Sequence, residues 1–170
     1  MGAADRIEVS RSQDVVLVRV IGLARLHNAM IFEEFCADMI ERRFRYFIID
    51  MAECRGMDST FMGILVGLAQ TNCENKETHV CLINVIAYCR SLLETLGLTR
   101  IVRMVDVPIR LPNVAGLCLD YVQCSDEERQ AIVQTAHENL VKLDDRNAKE
   151  LGSFLATLKD EIEAKHLPEK

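Results

Sequence analysis

Three consecutive side chains, Asp58-Ser59-Thr60, open an apolar segment that runs Phe61-Met62-Gly63-Ile64-Leu65-Val66-Gly67. A strand and loop lead into this segment. Asp58 and Ser59 therefore sit at the positive end of a helix macrodipole, beside backbone amides that have no intrahelical partner. Such a place accepts a phosphate, and Ser59 is the candidate to carry it, with Thr60 its local rival. Asp-Ser-Thr ahead of an apolar helix is also what an ordinary N-cap looks like. Upstream, Cys54 beside Arg55 suggests a thiolate favoured by a guanidinium, but no histidine is placed to act as its base. Asp50, Glu53 and Asp58 could be gathered around Mg²⁺, yet Asp50 reads as the end of a strand and Glu53 as a solvent-facing residue. The sequence has no glycine-rich loop to cradle phosphates and no recognisable nucleophile, base and orienter set. The expectation is a binding protein and not an enzyme, with no catalytic residues.

The other reactive side chains are dispersed. Seven cysteines stand singly at 36, 54, 73, 81, 89, 118 and 124, an odd number without a C-x-x-C pair. That spacing argues against a disulfide framework and against zinc. Cys36, Cys73, Cys81 and Cys89 fall inside helix or strand patterns and read as small buried or half-buried apolar residues. The histidines at 27, 79, 137 and 166 are equally scattered, so neither a metal nor a cofactor is expected. A formal net charge of -6 lacks the basic footprint of nucleic-acid binding, and a protein partner with a basic face fits better. Apolar residues make up 49% and charged residues 27% of the chain. No apolar run approaches the ~20 residues of a membrane span, and Met1–Arg11 lacks the pattern of a secretion signal. A soluble, cytoplasmic protein without a membrane partner is expected.

The elements that position Ser59 can be read from periodicity. Val15–Val20 is a β-branched and aliphatic strand ending at Gly22, and a shorter strand around Ile7–Ser10 precedes it. Phe32, Phe35, Cys36, Met39 and Ile40 follow helical spacing, with Asn28 as candidate N-cap. Arg45–Asp50 predicts a central strand, Met51–Met57 a loop, and Ser59 to about Asn75 a second helix with Phe61, Ile64, Leu65, Leu68 and Ala69 on its face. Thr78–Asn84, Ile86–Leu96 and Ile101–Val105 predict strand, helix and strand, the helix stopped by Gly97. Alternating strands and helices imply right-handed crossovers and a mostly parallel sheet. With 170 residues, one core and an appendage are expected: a domain over 1–110 and a C-terminal helical extension over 111–170. Leu117–Val122 is ambiguous. Ser125 with Glu128, and Asn147 with Glu150, have the capping-box spacing and open two helices. Their apolar stripes are Ile132, Ala136, Leu140 and Leu143, and Leu151, Phe154, Leu155, Leu158 and Ile162. Such a hairpin is too thin to stand alone, so it should dock on the core or on a second copy, the latter giving a homodimer through the C-terminal helices.

Met57-Asp58-Ser59-Thr60, the following Gly63 and the apolar run after it resemble the signature of STAS domains of the anti-sigma-factor antagonist type. Leu93-Glu94-Thr95-Leu96-Gly97-Leu98-Thr99-Arg100-Ile101 resembles the same family's third helix, turn and last strand. The resemblance covers about residues 5 to 107, and one departure is Phe61, where the family usually has glycine. It implies an α/β fold: a mixed, mostly parallel sheet of four to five strands with helices packed chiefly on one face. It further implies that Ser59 is a phosphoacceptor and that Asp58, Ser59, Thr60, Phe61, Met62 and Gly63 bind the partner. That partner would be a serine protein kinase doubling as an anti-sigma factor, opposed by a phosphatase. The alternative within the same fold is an unmodified scaffold subunit, as in STAS-like subunits of lipid-transport assemblies.

Overall fold

The structure, a computed structural model, describes residues 5–73, 76–111, 116–120 and 123–165. Strands β1 (Arg6–Ser12) and β2 (Val15–Ala24) form an antiparallel hairpin, followed by α1 (Leu26–Glu41), β3 (Tyr46–Met57) and α2 (Ser59–Gln70). A small hairpin of β4 (Asn72–Cys73) and β5 (Lys76–Glu77) leads to β6 (His79–Ile83), α3 (Ala87–Thr95) and β7 (Arg103–Val105). The chain then adds β8 (Leu117–Cys118) and ends in α4 (Asp126–Leu143) and α5 (Asp145–Lys165). The main sheet has six strands in the order β7-β6-β3-β2-β1-β8. It is parallel from β2 through β7 and antiparallel at β1. The five strands legible in the sequence form its body, and the ambiguous Leu117–Val122 segment contributes the short edge strand β8. Residues 121 and 122, and the side chains of Cys73 and Ile162, lie outside the described residues.

Register explains why one face is covered. Val9, Val18, Ile49 and Leu82 are successive partners across four strands, and all are buried. The neighbouring row of Ser10, Leu17, Ile48 and Cys81 points the other way and is only half-buried. Helix α1 closes the covered face with Phe32, Cys36 and Met39, spaced by four and three residues along one stripe.

Several boundaries differ from the sequence reading for identifiable reasons. The segment Met51–Met57, expected as a loop, continues β3. It pairs with the end of β2 from Ile21↔Glu53 to Ala24↔Met57, with one register shift just before this stretch and one within it. Such shifts accommodate extra residues, and the polar Glu53 and Arg55 stay exposed, so pairing overrides composition here. Helix α2 stops at Gln70, short of Asn75, because the β4–β5 hairpin begins at Asn72. A 3₁₀ turn over Leu98–Arg100, entered through Gly97 at φ +78°, shortens the last parallel strand. Asn28 does not cap α1. The helix starts two residues earlier, and Asn28 instead accepts the Arg25 N–H and donates to the Leu23 carbonyl, both at 2.9 Å.

The tail forms the expected helical pair. Ser125 and Glu128 make the reciprocal capping box, Oγ accepting the Glu128 N–H at 3.1 Å and the carboxylate accepting the Ser125 N–H at 2.8 Å. Asn147 does not repeat it. Helix α5 begins at Asp145, and Asp144 accepts the Arg146 N–H at 2.9 Å. Asn147 is buried and donates to the Leu96 and Leu140 carbonyls at 3.0 and 2.8 Å, tying the hairpin to the end of α3. Ala136, Leu140, Leu155 and Leu158 are buried, whereas Phe154 remains 46% exposed. The hairpin lies on the core, with α4 packed along α2.

Candidate functional site

Asp58 is where the site begins. Its Oδ1 accepts the Phe61 N–H and its Oδ2 the Leu26 N–H, each at 2.9 Å, so one carboxylate caps both α2 and α1. The Asp58 N–H donates to the Ala24 carbonyl at 2.9 Å. The parallel pairing of β2 and β3 brings the two helix starts together, and Asp58 satisfies an orphan amide on each.

Ser59 follows as the first residue of α2 and is half-buried. This helix end is not open to solvent: Ser59 Oγ lies 2.7 Å from Nε2 of His137 on α4. The other ring nitrogen, Nδ1, is 2.8 Å from the Val133 carbonyl, which can only accept. That contact assigns the proton to Nδ1, so in the neutral ring the Ser59 hydroxyl donates to Nε2. His137 is 4% exposed and meets the Phe154 ring edge-on at 4.8 Å. Burial holds its pKa below the ordinary imidazole value, opposed by the Val133 hydrogen bond and the nearby Asp58 charge.

The remaining residues of the motif turn inward. Thr60, Phe61, Met62 and Gly63 are all buried. Phe61 stacks on Phe32 of α1 with centroids 5.3 Å apart, so the large side chain at the family's glycine position fills the α1–α2 interface. Gly63 lies directly under α4, where a Cβ would collide with the backbone carbonyl of Ala136. Asn139 donates to the Gly63 carbonyl at 3.3 Å, and its amide sits against Gly67. Ser59, Gly63 and Gly67 thus form one row, spaced by four, along which α4 runs.

The alternative chemistries do not assemble. Cys54 is 1% exposed, and its S–H points to the Gly56 carbonyl at 3.4 Å, while Arg55 pairs with Asp5 at 3.0 Å. A hydrogen bond from Cys89, whose sulfur is 3.8 Å away, holds Cys54 below the ordinary thiol value; the same bond and burial push Cys89 up. Asp50 is engaged by the Ala52 amide and the Asn84 side chain at 3.1 and 2.9 Å. Among the described residues no group of His, Cys, Asp or Glu is arranged to hold a metal.

Sequence reasoning missed His137, 78 residues from Ser59. A serine hydroxyl donating to a carbonyl-oriented imidazole is the geometry of a nucleophile and its base. Catalysis also requires a space for substrate beside the pair. Clefts of about 540 and 470 Å³ lie elsewhere, one between α1, α2 and α4 and one beside β3 and β6, and neither is lined by Ser59 or His137.

A family model for the STAS domain matches residues 6–110, and α4 and α5 lie beyond it. No curated protein matches the chain. Among solved structures, an anti-sigma factor antagonist from Mycobacterium paratuberculosis superposes with a TM-score of 0.53 at 18% identity, over 63% of this chain and 92% of that one. The anti-sigma factor antagonist SpoIIAA in its unphosphorylated form gives 0.50 at 16% identity, over 59% and 88%. At these identities the likeness is one of fold.

Proposed function

Because the chain belongs to the STAS domain family, we propose that it is an anti-sigma-factor antagonist: a non-enzymatic, cytoplasmic switch controlled by phosphorylation of Ser59. With Ser59 free, the start of α2 binds a serine kinase that doubles as an anti-sigma factor. With Ser59 phosphorylated the partner is released, and a phosphatase resets the switch. The observation that carries this reading is the position of Ser59, first residue of α2 and immediately after the cap Asp58, at the positive helix end. A phosphate there adds about -1.5 to -2 charges, which the helix end tolerates. Asp58 beside it raises the local negative density, so a partner packed over this end meets repulsion and a desolvation cost. The domain over 1–110 supplies the switch, and the extension over 111–170 bears on it from outside.

Mass spectrometry of the protein isolated from native cells, with and without stress, should locate phosphate on Ser59. Pull-down should retain the kinase partner with Ser59→Ala and lose it with Ser59→Asp. Phosphate mapping consistently to another residue would overturn the reading. A second reading is an unmodified STAS scaffold subunit of a larger complex, such as a lipid-transport assembly. It is favoured by the Ser59 hydroxyl already being engaged by His137. An unphosphorylated Ser59 under every condition, with a complex indifferent to Ser59→Asp, would select it.

A further inference from the structure

We propose that the α4–α5 hairpin occupies the partner-docking face in cis, so that a partner or kinase reaches Ser59 only when the hairpin lifts away. The inference rests on the reading of Ser59 as the switch residue and names how access to it is regulated.

Three features of the contact support it. The nucleophilic hydroxyl of Ser59 is directed at His137 Nε2, 2.7 Å away, and the ring itself is 4% exposed. A kinase must bring its phosphoryl group in line with Oγ, and α4 covers that approach; once esterified, Oγ has no proton left to donate to Nε2, so the contact is lost. Second, the row Ser59, Gly63, Gly67 forms a shallow groove in which the backbone of α4 sits, with Ala136 over Gly63 and Asn139 against Gly67. An incoming partner helix with a small residue at the crossing would use this same groove, so hairpin and partner exclude one another. Third, polar ties supplement the apolar contact. Asn139 bonds the Gly63 carbonyl, Asn147 bonds the Leu96 carbonyl, and Asp144 pairs with Arg100. From α4, the side chains of Ala136, His137 and Leu140 are the buried ones. Helix α4 is otherwise amphiphilic, with acidic Asp126, Glu127 and Glu128 in its first turn matching its own dipole and helping it persist when undocked. Residues 119–125, between the edge strand β8 and α4, tether the hairpin so that it can lift without leaving the molecule.

Occupancy in cis reduces the apparent affinity of a competitor by the fraction of chains that are open. By reciprocity, whatever opens the hairpin promotes modification of Ser59, and phosphate on Ser59 holds the hairpin open.

Full-length wild type, Gly63→Ala and Ala136→Glu would be treated with diethyl pyrocarbonate. Acylation of His137 would be mapped by peptide mass spectrometry against the exposed His27 and His79. Gly63→Ala leaves α2 a better helix former while colliding with α4. Ala136→Glu puts a charge into the buried α2–α4 contact and disrupts it from the hairpin side. Alkylation of Cys89, fully buried on α3 against Cys54, reports whether the core stays folded. The expected result is a His137 protected in wild type and acylated about tenfold faster in at least one folded variant, with Cys89 unchanged. In the same variant, phosphate on Ser59 in native cells should rise by a similar factor. A His137 as reactive in wild type as His79, or one unchanged in both variants while they stay folded, overturns the proposal, as does opening that leaves Ser59 occupancy unaltered. Absence of phosphate from Ser59 in every chain removes the switch reading, and the gating with it. The histidine readout separates that outcome from a hairpin that never lifts.

Discussion

Asp58 spends each carboxylate oxygen on a different helix, and that double use makes it the residue on which the site's geometry depends most. A cap contributes about 1 kcal/mol, so Asp58→Ala should cost about 2 to 3 kcal/mol by urea denaturation. A loss below about 0.5 kcal/mol would show that the two helix ends find other partners. His137 carries a pH dependence whose sign follows from its surroundings. Burial depresses its pKa, against the Val133 carbonyl and the Asp58 charge; Ser59 from α2 and Phe154 from α5 complete its contacts. The undocked ring therefore binds a proton more readily than the docked one. The stability of the hairpin contact is complete above the ordinary value near 6.5 and declines as pH falls from there through the lowered docked value. Hydrogen exchange of α4, corrected for intrinsic rates, should show more frequent opening at pH 5.5 than at 7.5. His137→Gln should flatten the difference, and equal opening at both pH values in the wild type would refute the assignment.

At the scale of elements, α2 explains why a tail is present at all. Its sequence, STFMGILVGLAQ, is apolar all round, and an isolated amphipathic stripe does not describe it. A helix of that kind is covered on every side. The sheet and α1 cover the inner faces, Phe61 stacking on Phe32, and α4 covers the outer face through Gly63 and Gly67. Phe61→Ala should therefore cost about 3 to 5 kcal/mol, as a large buried aromatic does, and Phe61→Gly no less. Asn147→Ala leaves the Leu96 carbonyl, and with it the junction of α3 and α5, without its side-chain donor. It should cost about 1 to 3 kcal/mol in thermal or chemical unfolding. A neutral Asn147→Ala would mean that solvent replaces the tie.

For the whole molecule, the core and the hairpin are unequal partners. The six-stranded sheet with α1, α2 and α3 has its own buried centre, whereas α4 and α5 bury their stripes largely against each other and against α2. Truncation after Leu119 keeps the edge strand β8 and removes the cover from the Ser59–Gly63–Gly67 face. The shortened chain should fold, melt at a lower temperature and self-associate, as seen by light scattering, because an uncovered apolar groove seeks another surface. A truncated protein that stays monomeric and melts like the full chain would show that the hairpin contributes neither stability nor cover.

The sequence by itself determined the alternation of strands and helices, the helical pair at the end and the place of Ser59 at a helix start, because these follow from periodicity and capping within a dozen residues. Its motif also pointed to the family. It did not reveal that Met51–Met57 is strand, since the register shifts that pair this segment with β2 are invisible along one chain. Nor did it reveal that Asn147 faces inward, or that His137 meets Ser59. Gly63 and Gly67, four residues apart on a helix apolar all round, were the signal that something would lie across it. Which helix does so, and that it brings an imidazole to the switch hydroxyl, is a matter of packing between segments 78 residues apart, and only the tertiary structure decides that.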